Sequence, residues 1–439
     1  MTATPAGTLV RLYSSLVSGQ HKSADGDCNF AFSPYAVSAV LAGLYFGARG
    51  TSREQLENHY FDGRSAADAA ACLNEAIPAV SQKEEGVDPD IQSSVVLQAA
   101  NRLYASKELM EAFLPQFREF RETLEKALHT EALLANFKTN SNGEREKINE
   151  WVCSVTKRKI VDLLPPAAVT PETTLLLVGT LYFKGPWLKP FVPCECSSLS
   201  KFYRQGPSGA TISQEGIRFM ESTQVCSGAL RYGFKHTDRP GFGLTLLEVP
   251  YIDIQSSMVF FMPDKPTDLA ELEMMWREQP DLLNDLVQGM ADSSGTELQD
   301  VELTIRLPYL KVSGDTISLT SALESLGVTD VFGSSADLSG INGGRNLFVS
   351  DVFHRCLVEI DEEGTDAAAG AAAGVACVSL PFVREHKVIN IDRSFLFQTR
   401  KLKCVQGLRA GNSPAMRKDD DILFVGRVVD VGVLQSGGE

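Results

Sequence analysis

The chain has 439 residues, 44% of them apolar and 22% charged, the proportions of a globular protein with a sizeable core and not of a disordered one. A formal net charge of −15 argues against nucleic acid and anionic membrane as general partners, and no run of five or six basic residues offsets it. No stretch of eighteen apolar residues offers a membrane-spanning helix.

The N-terminal segment lacks the basic start, long apolar stretch and small-residue cleavage site of a secretory leader. It reads instead as an amphipathic helix with Leu9, Leu12, Tyr13, Leu16 and Val17 on one face. "SPYAVSAVLAGLYFGARG" places Ser33 before Pro34 and predicts a helix that closes at Gly47 and Gly50. "TSREQLENHY" restarts helix, with Thr51 and Glu54 spaced as a capping box. "EREKINEWVCSVTKRKIVDLLPP" predicts a further helix halted by Pro165 and Pro166, its "TKRKIVD" forming the charged end.

Beyond this point β-branched and apolar runs dominate. "TTLLLVGTLYF", Thr173 to Phe183, is continuous enough for a strand buried on both faces. "SSMVFFMP", "VELTIRLPYL", "LFVSDVFHRCLVEID" and "ILFVGRVVDVGVL" predict further strands, with helices at about Thr267–Met290 and Leu319–Leu326. Sheets and helices without regular βαβ alternation indicate an α+β fold. No linker or shift in composition divides residues 1–439, which predicts one domain.

Signatures of catalysis are mostly absent. None of the six histidines sits in an H-E-x-x-H pattern, and no G-x-S-x-G elbow accompanies them. "GARGTS" lacks the lysine of a phosphate-binding loop, and "CEC" at Cys194–Cys196 has no matching second pair for a metal. Neither a metal nor another cofactor is expected. His354 lies in an apolar strand pattern, where a hydrogen-bonded core histidine is the expected role. A hydrolase assembled from distant residues would reveal itself as turnover abolished by changing His354. The nine cysteines are odd in number and unclustered, as free thiols in a reducing, cytoplasmic compartment would be.

About ten blocks, in order from about Gly7 to Val433, resemble the serpins, the serine protease inhibitor superfamily. They include "NFAFSPYAVSAVLAGLYFGARGTSREQL", "LVGTLYFKGPWLKPF", "LPYLKVSG", "FHRCLVEIDEEGTDAAAG", "SFLFQTR" and "DILFVGRVVD". The resemblance implies about nine helices, three β-sheets and an exposed reactive-centre loop, here about residues 362–386. It also implies an inhibitor and not an enzyme. A serine protease cleaves the loop as a suicide substrate, and the loop then enters the main sheet as a new strand and traps the acyl-enzyme. A non-inhibitory serpin-fold chaperone or binding protein is the alternative.

The loop meets the physical requirement of insertion. A strand exposes alternate residues to opposite faces, so Thr365, Ala367, Ala369, Ala371 and Ala373 would turn inward, and all are small and uncharged. Asp366 falls outward with Ala368, and Gly364 supplies a pivot after Glu362 and Glu363. Fifteen residues from Gly364 place the scissile bond between Val378 and Ser379, after Val375, Ala376 and Cys377. Val378 suits the shallow apolar pocket of elastase-like proteases, while Cys377 and Arg384 are alternative recognition residues. Trypsin-like and subtilisin-like targets stay open.

The resemblance further assigns Ser33, Trp187 and His354, with Glu362, to the region where the main sheet opens. Gly179 stands where the family usually has asparagine, Ala36 replaces a common serine, and Tyr309 a frequent lysine that pairs with Glu362. The hydrogen-bond cluster beneath the sheet is therefore expected to be thinner. The helices before Asn101 carry no basic stripe, so no heparin site is expected, and the protein is expected to be a monomer.

Overall fold

The computed structural model describes residues 2–20, 22–23, 26–76, 96–194, 201–206, 208–225, 230–236, 239, 241–292, 301–313, 315–362, 385–402 and 420–431. Within them lie eleven α-helical segments, two of which, Lys107–Met110 and Ser339–Asn342, are single turns. The nine longer ones, with three large sheets and two two-stranded ribbons, give the α+β serpin architecture expected from the sequence.

The main sheet contains β1 (Val96–Ser106), β2 (Glu131–Ala135), β3 (Leu175–Lys184), β4 (Leu310–Ser313), β5 (Ile317–Ser318) and β6 (Val349–Ile360). Its strand order is β4-β6-β3-β1-β2, with β5 also paired to β6. A second sheet runs Glu385–Asn390 (β7), Val301–Pro308, Phe219–Val225 and Val192–Pro193. The third carries the hairpin of Phe395–Lys401 with Asp421–Val428 and ends on Phe30–Phe32. The predicted strand "VELTIRLPYL" is divided between two sheets. Val301–Pro308 lies in the second and Leu310–Ser313 in the first, because Pro308 has no N–H to continue a ladder.

Two helices position the site. The first, α1 (Pro34–Gly47), is buried on nearly all sides beneath the main sheet. Ser33 caps it, its Oγ accepting from the Ala36 N–H at 3.1 Å. The capping box predicted downstream does not form. The next helix begins at Gly50, where φ is +47°, so Thr51 sits inside the first turn and Arg49 takes the cap position.

The second, α2 (Phe137–Val155), stops ten residues before Pro165, earlier than the prolines alone predict. Thr156 ends it. Its hydroxyl donates to the Val152 carbonyl at 2.7 Å and accepts from the Ile160 N–H at 3.1 Å, while Lys157 and Arg158 adopt φ of 48° and 63°. The segment "TKRKIVDLL" is therefore an irregular strap beyond the helix and not its charged end.

Strand parity separates two apolar layers. Leu176, Val178 and Tyr182 of β3 and Phe353 and Leu357 of β6 pack with Phe137, Ile148, Val152, Ile160, Leu163 and Leu164 of α2 and the strap. The alternate residues, Leu175, Leu177, Leu181 and Phe183 with Val352, Cys356, Val358 and Ile360, join the main core that includes α1. Burial on both faces accounts for the continuous apolar run of β3.

Candidate functional site

The strands β3 and β6 are adjacent and parallel, with His354 opposite Gly179 and Val358 opposite Phe183. Their other neighbours, β1 and β4, are antiparallel to them. The pair therefore forms a parallel seam inside an otherwise largely antiparallel sheet. Parallel ladders are slightly less stable per residue than antiparallel ones, so the seam is weaker per residue than the antiparallel joints that flank it, a property it shares with the parallel β1–β2 pair at the sheet edge.

His354 ties the seam to α1. Its Nδ1–H donates to the Gly179 carbonyl across the seam at 2.7 Å, and its Nε2 accepts the Ser33 N–H at 3.0 Å. A backbone donor at Nε2 requires the neutral ring. Burial, only partly opposed by the bond to Gly179, pulls its pKa down to about 4. Both ring nitrogens are thus committed to backbone groups, and the Ser33 hydroxyl is occupied at the helix cap, so the pair has no base–nucleophile geometry. The sequence expectation of a core histidine holds.

Gly179 sits where space is tight. A Cβ there would lie 3.1 Å from the Ala36 carbonyl and 3.3 Å from Val40 Cγ1. The two departures from the family pattern, Gly179 and Ala36, therefore face each other. The Gly179 carbonyl supplies the bond to the histidine.

Trp187 is not part of that cluster. It lies at the C-terminal end of the seam, buried and stacked on Tyr251 with ring centroids 4.6 Å apart. Its Nε1–H donates to the Asp361 carbonyl at 3.1 Å, fixing the chain just past β6. Lys184 of β3 reaches the Asp361 carboxylate at 3.4 Å across the same gap. Glu362 follows, beside Tyr309. The Tyr309 hydroxyl oxygen is buried without a partner in hydrogen-bond geometry, although Glu362 and Arg218 lie near it. Burial first, then the Glu362 charge, pushes this phenol up to about 12. Tyrosine, neutral here and never cationic, cannot supply the charge that the family's lysine would bring to Glu362.

Glu363, Gly364, Thr365, Asp366, Ala367, Ala368 and Ala369, then Val375, Ala376, Cys377, Val378 and Ser379, lie outside the described residues, as do the alternative Arg384 and the rest of 363–384. The chain resumes at β7, so Glu385 and His386, assigned to the loop from sequence, are strand residues. His386 Nε2 bonds Thr304 at 2.9 Å.

Sequence reasoning missed Glu359. On β6 its carboxylate receives Lys159 of the strap at 2.9 Å, Lys311 of β4 at 3.3 Å and the Tyr182 hydroxyl of β3 at 3.3 Å. Burial pushes its carboxyl up, but the hydrogen bonds and charges of the two lysines outweigh that and hold it below the usual carboxylate range. The available signal was an acid late in an apolar strand, one of a run with Asp361, Glu362 and Glu363.

The chain matches the family model described as Serpin (serine protease inhibitor) over residues 10–431. It is 31% identical to the leukocyte elastase inhibitor of Xenopus tropicalis over 377 residues, covering 85% of this chain and 89% of that one. It is also 31% identical to Serpin B10 of Bos taurus over 398 residues, covering 87% and 92%. Among solved structures, uncleaved ovalbumin aligns with a TM-score of 0.68 at 25% identity, over 97% of this chain and 98% of that one. The native stressed conformation of Arabidopsis AtSerpin1 gives 0.69 at 22% identity, over 97% and 96%.

Proposed function

Because the chain belongs to the serpin family, a family of serine protease inhibitors and not of enzymes in which non-inhibitory members are the exception, we propose that it traps serine proteases as a suicide substrate. The observation that carries this reading is the parallel seam. The chain leaves β6 at the end where Trp187 holds Asp361, and a segment folding back from there would run antiparallel to β6. Since β3 is parallel to β6, the same segment would be antiparallel to β3 as well. Insertion thus exchanges one parallel ladder for two antiparallel ones.

Length supports the same reading. The described seam pairs Val349–Val358, about 33 Å of strand, whereas Gly364–Val378 extended spans about 50 Å. A protease acylated at Val378 would be carried past the far end of the seam. The inward set Thr365, Ala367, Ala369, Ala371 and Ala373 would enter between β3 and β6 at little steric or desolvation cost.

In this reading residues 1–439 act as one domain and a monomer, with no heparin site. Glu362–Ala369 form the hinge, Val375–Cys377 are read by the protease, and Val378–Ser379 is the bond cut. Ser33, His354 and Trp187 hold the sheet closed until cleavage. Val378 favours elastase-like targets, a preference that the name of the Xenopus relative supports. Among the described residues, the free cysteines Cys28, Cys72, Cys153 and Cys356 suit a reducing cytoplasmic setting.

Incubation with pancreatic elastase, trypsin and subtilisin in parallel tests the proposal. The expected result is an elastase complex that survives boiling in detergent, with mass spectrometry locating the new C-terminus at Val378. Cleavage with no adduct to any of the three would overturn trapping in favour of the binding-protein reading.

A further inference from the structure

Insertion must separate β3 from β6 by one more strand spacing, about 4.8 Å. Side-chain ties that cross the seam must then break, and ties on one side of it need not. The contacts of Glu359 divide in this way. Lys311 sits on β4, directly opposite Glu359 in the antiparallel register, and would travel with β6. Tyr182 sits on β3, across the seam. Lys159 sits on the strap, which is packed on β3 and β6 together through Ile160, Leu163 and Leu164.

The strap is held to the far side of the seam at further points. Arg355 of β6 donates to the Val161 carbonyl at 3.0 Å, and Thr316 donates to the Leu163 carbonyl at 2.6 Å. The Arg355 and Thr316 ties end on backbone carbonyls of the strap. Glu359 joins strap, β3 and β4 at one carboxylate, and its side chain is only 13% exposed. It also sits at the end of the seam where the loop leaves.

We propose that Glu359 is a positioning residue that clasps the strap and β3 onto β6, and that its bonds to Lys159 and Tyr182 set the rate at which the sheet parts for the cleaved loop. This role rests on the trapping reading. It adds an asymmetry that a merely stabilising ion pair lacks: the Lys159 and Tyr182 bonds oppose opening, while the Lys311 bond does not.

The test compares wild type with Lys159→Met, Tyr182→Phe, Lys311→Met and Glu359→Gln, using whichever of pancreatic elastase, trypsin or subtilisin the wild type traps. Rapid quenching into detergent gives the rate of adduct formation after acylation, and heat inactivation gives native stability separately. Lys159→Met and Tyr182→Phe are expected to speed trapping, the former about fivefold given the half-exposed lysine. Glu359→Gln should match or exceed that, and Lys159→Met added to it should change little. Lys311→Met should inactivate faster on heating yet trap at the wild-type rate. Equal effects of Lys159→Met and Lys311→Met on trapping, or none from either, would overturn the clasp while leaving the inhibitor reading intact. No adduct from the wild type with any of the three proteases would remove both.

Discussion

His354 offers a prediction whose size follows from its surroundings. The buried ring has a pKa of about 4, against about 6.5 in the unfolded chain, so between these values the unfolded state binds the extra proton. The folded value is depressed, and stability from this site is therefore intact above about pH 6.5 and lost progressively down to about pH 4. Linkage over that window makes the cost about 2 kcal/mol on going from pH 7 to pH 5. Glutamine at 354 retains a donor for Gly179 and an acceptor for Ser33 but has no proton to gain. The assay is the first urea unfolding transition of wild type and His354→Gln, each at pH 7 and pH 5. Comparison within each protein cancels any fixed cost of the substitution. Wild type should lose about 2 kcal/mol more than the variant over this interval. Equal losses would refute the assignment of a neutral, backbone-bonded ring.

Gly179→Asn, which restores the residue usual in the family, should destabilise this chain by about 1–3 kcal/mol, because its Cβ meets the fixed Ala36 carbonyl. A lower first urea midpoint checks this, and an unchanged one would mean that α1 can yield. Ala369→Arg places a charge on the inward face of the proposed strand at a cost of several kcal/mol, so elastase should still cut the loop but form no stable adduct. Gel analysis after boiling reads that outcome directly. Val378→Arg should transfer recognition from elastase to trypsin by supplying the charge that an aspartate-lined pocket requires, with the gain measured as the association rate constant.

Much of this architecture was legible locally. The face Leu9, Leu12, Tyr13 and Leu16 of the first helix is buried as its spacing predicts, because helical period and burial report the same geometry. The doubly buried β3 was legible for a similar reason. The end of α2 was not, since a threonine hydroxyl and two left-handed residues stopped the helix before either proline could. Nor does periodicity reveal that β3 and β6 are neighbours. Their pairing joins residues about 175 positions apart, which no local pattern records. Ser33 and His354 came from the family resemblance and do meet in space. Glu359 escaped because its cationic partners come from other elements, Lys159 lying 200 residues away, and a glutamate near a strand end reads as a solvent-facing residue.

The apolar layer between α2 and the sheet has a consequence for anyone engineering this protein. Filling it with larger side chains at Val178 or Leu176, or adding ion pairs from the strap to β6, follows the ordinary recipe for a longer shelf life. Under the proposed trapping function the same changes would slow the parting of the strands, giving the acylated protease time to deacylate and escape. Variants selected for heat resistance alone should therefore drift from inhibitor towards substrate. A useful screen would have to score the yield of adduct per molecule consumed as well as survival on heating.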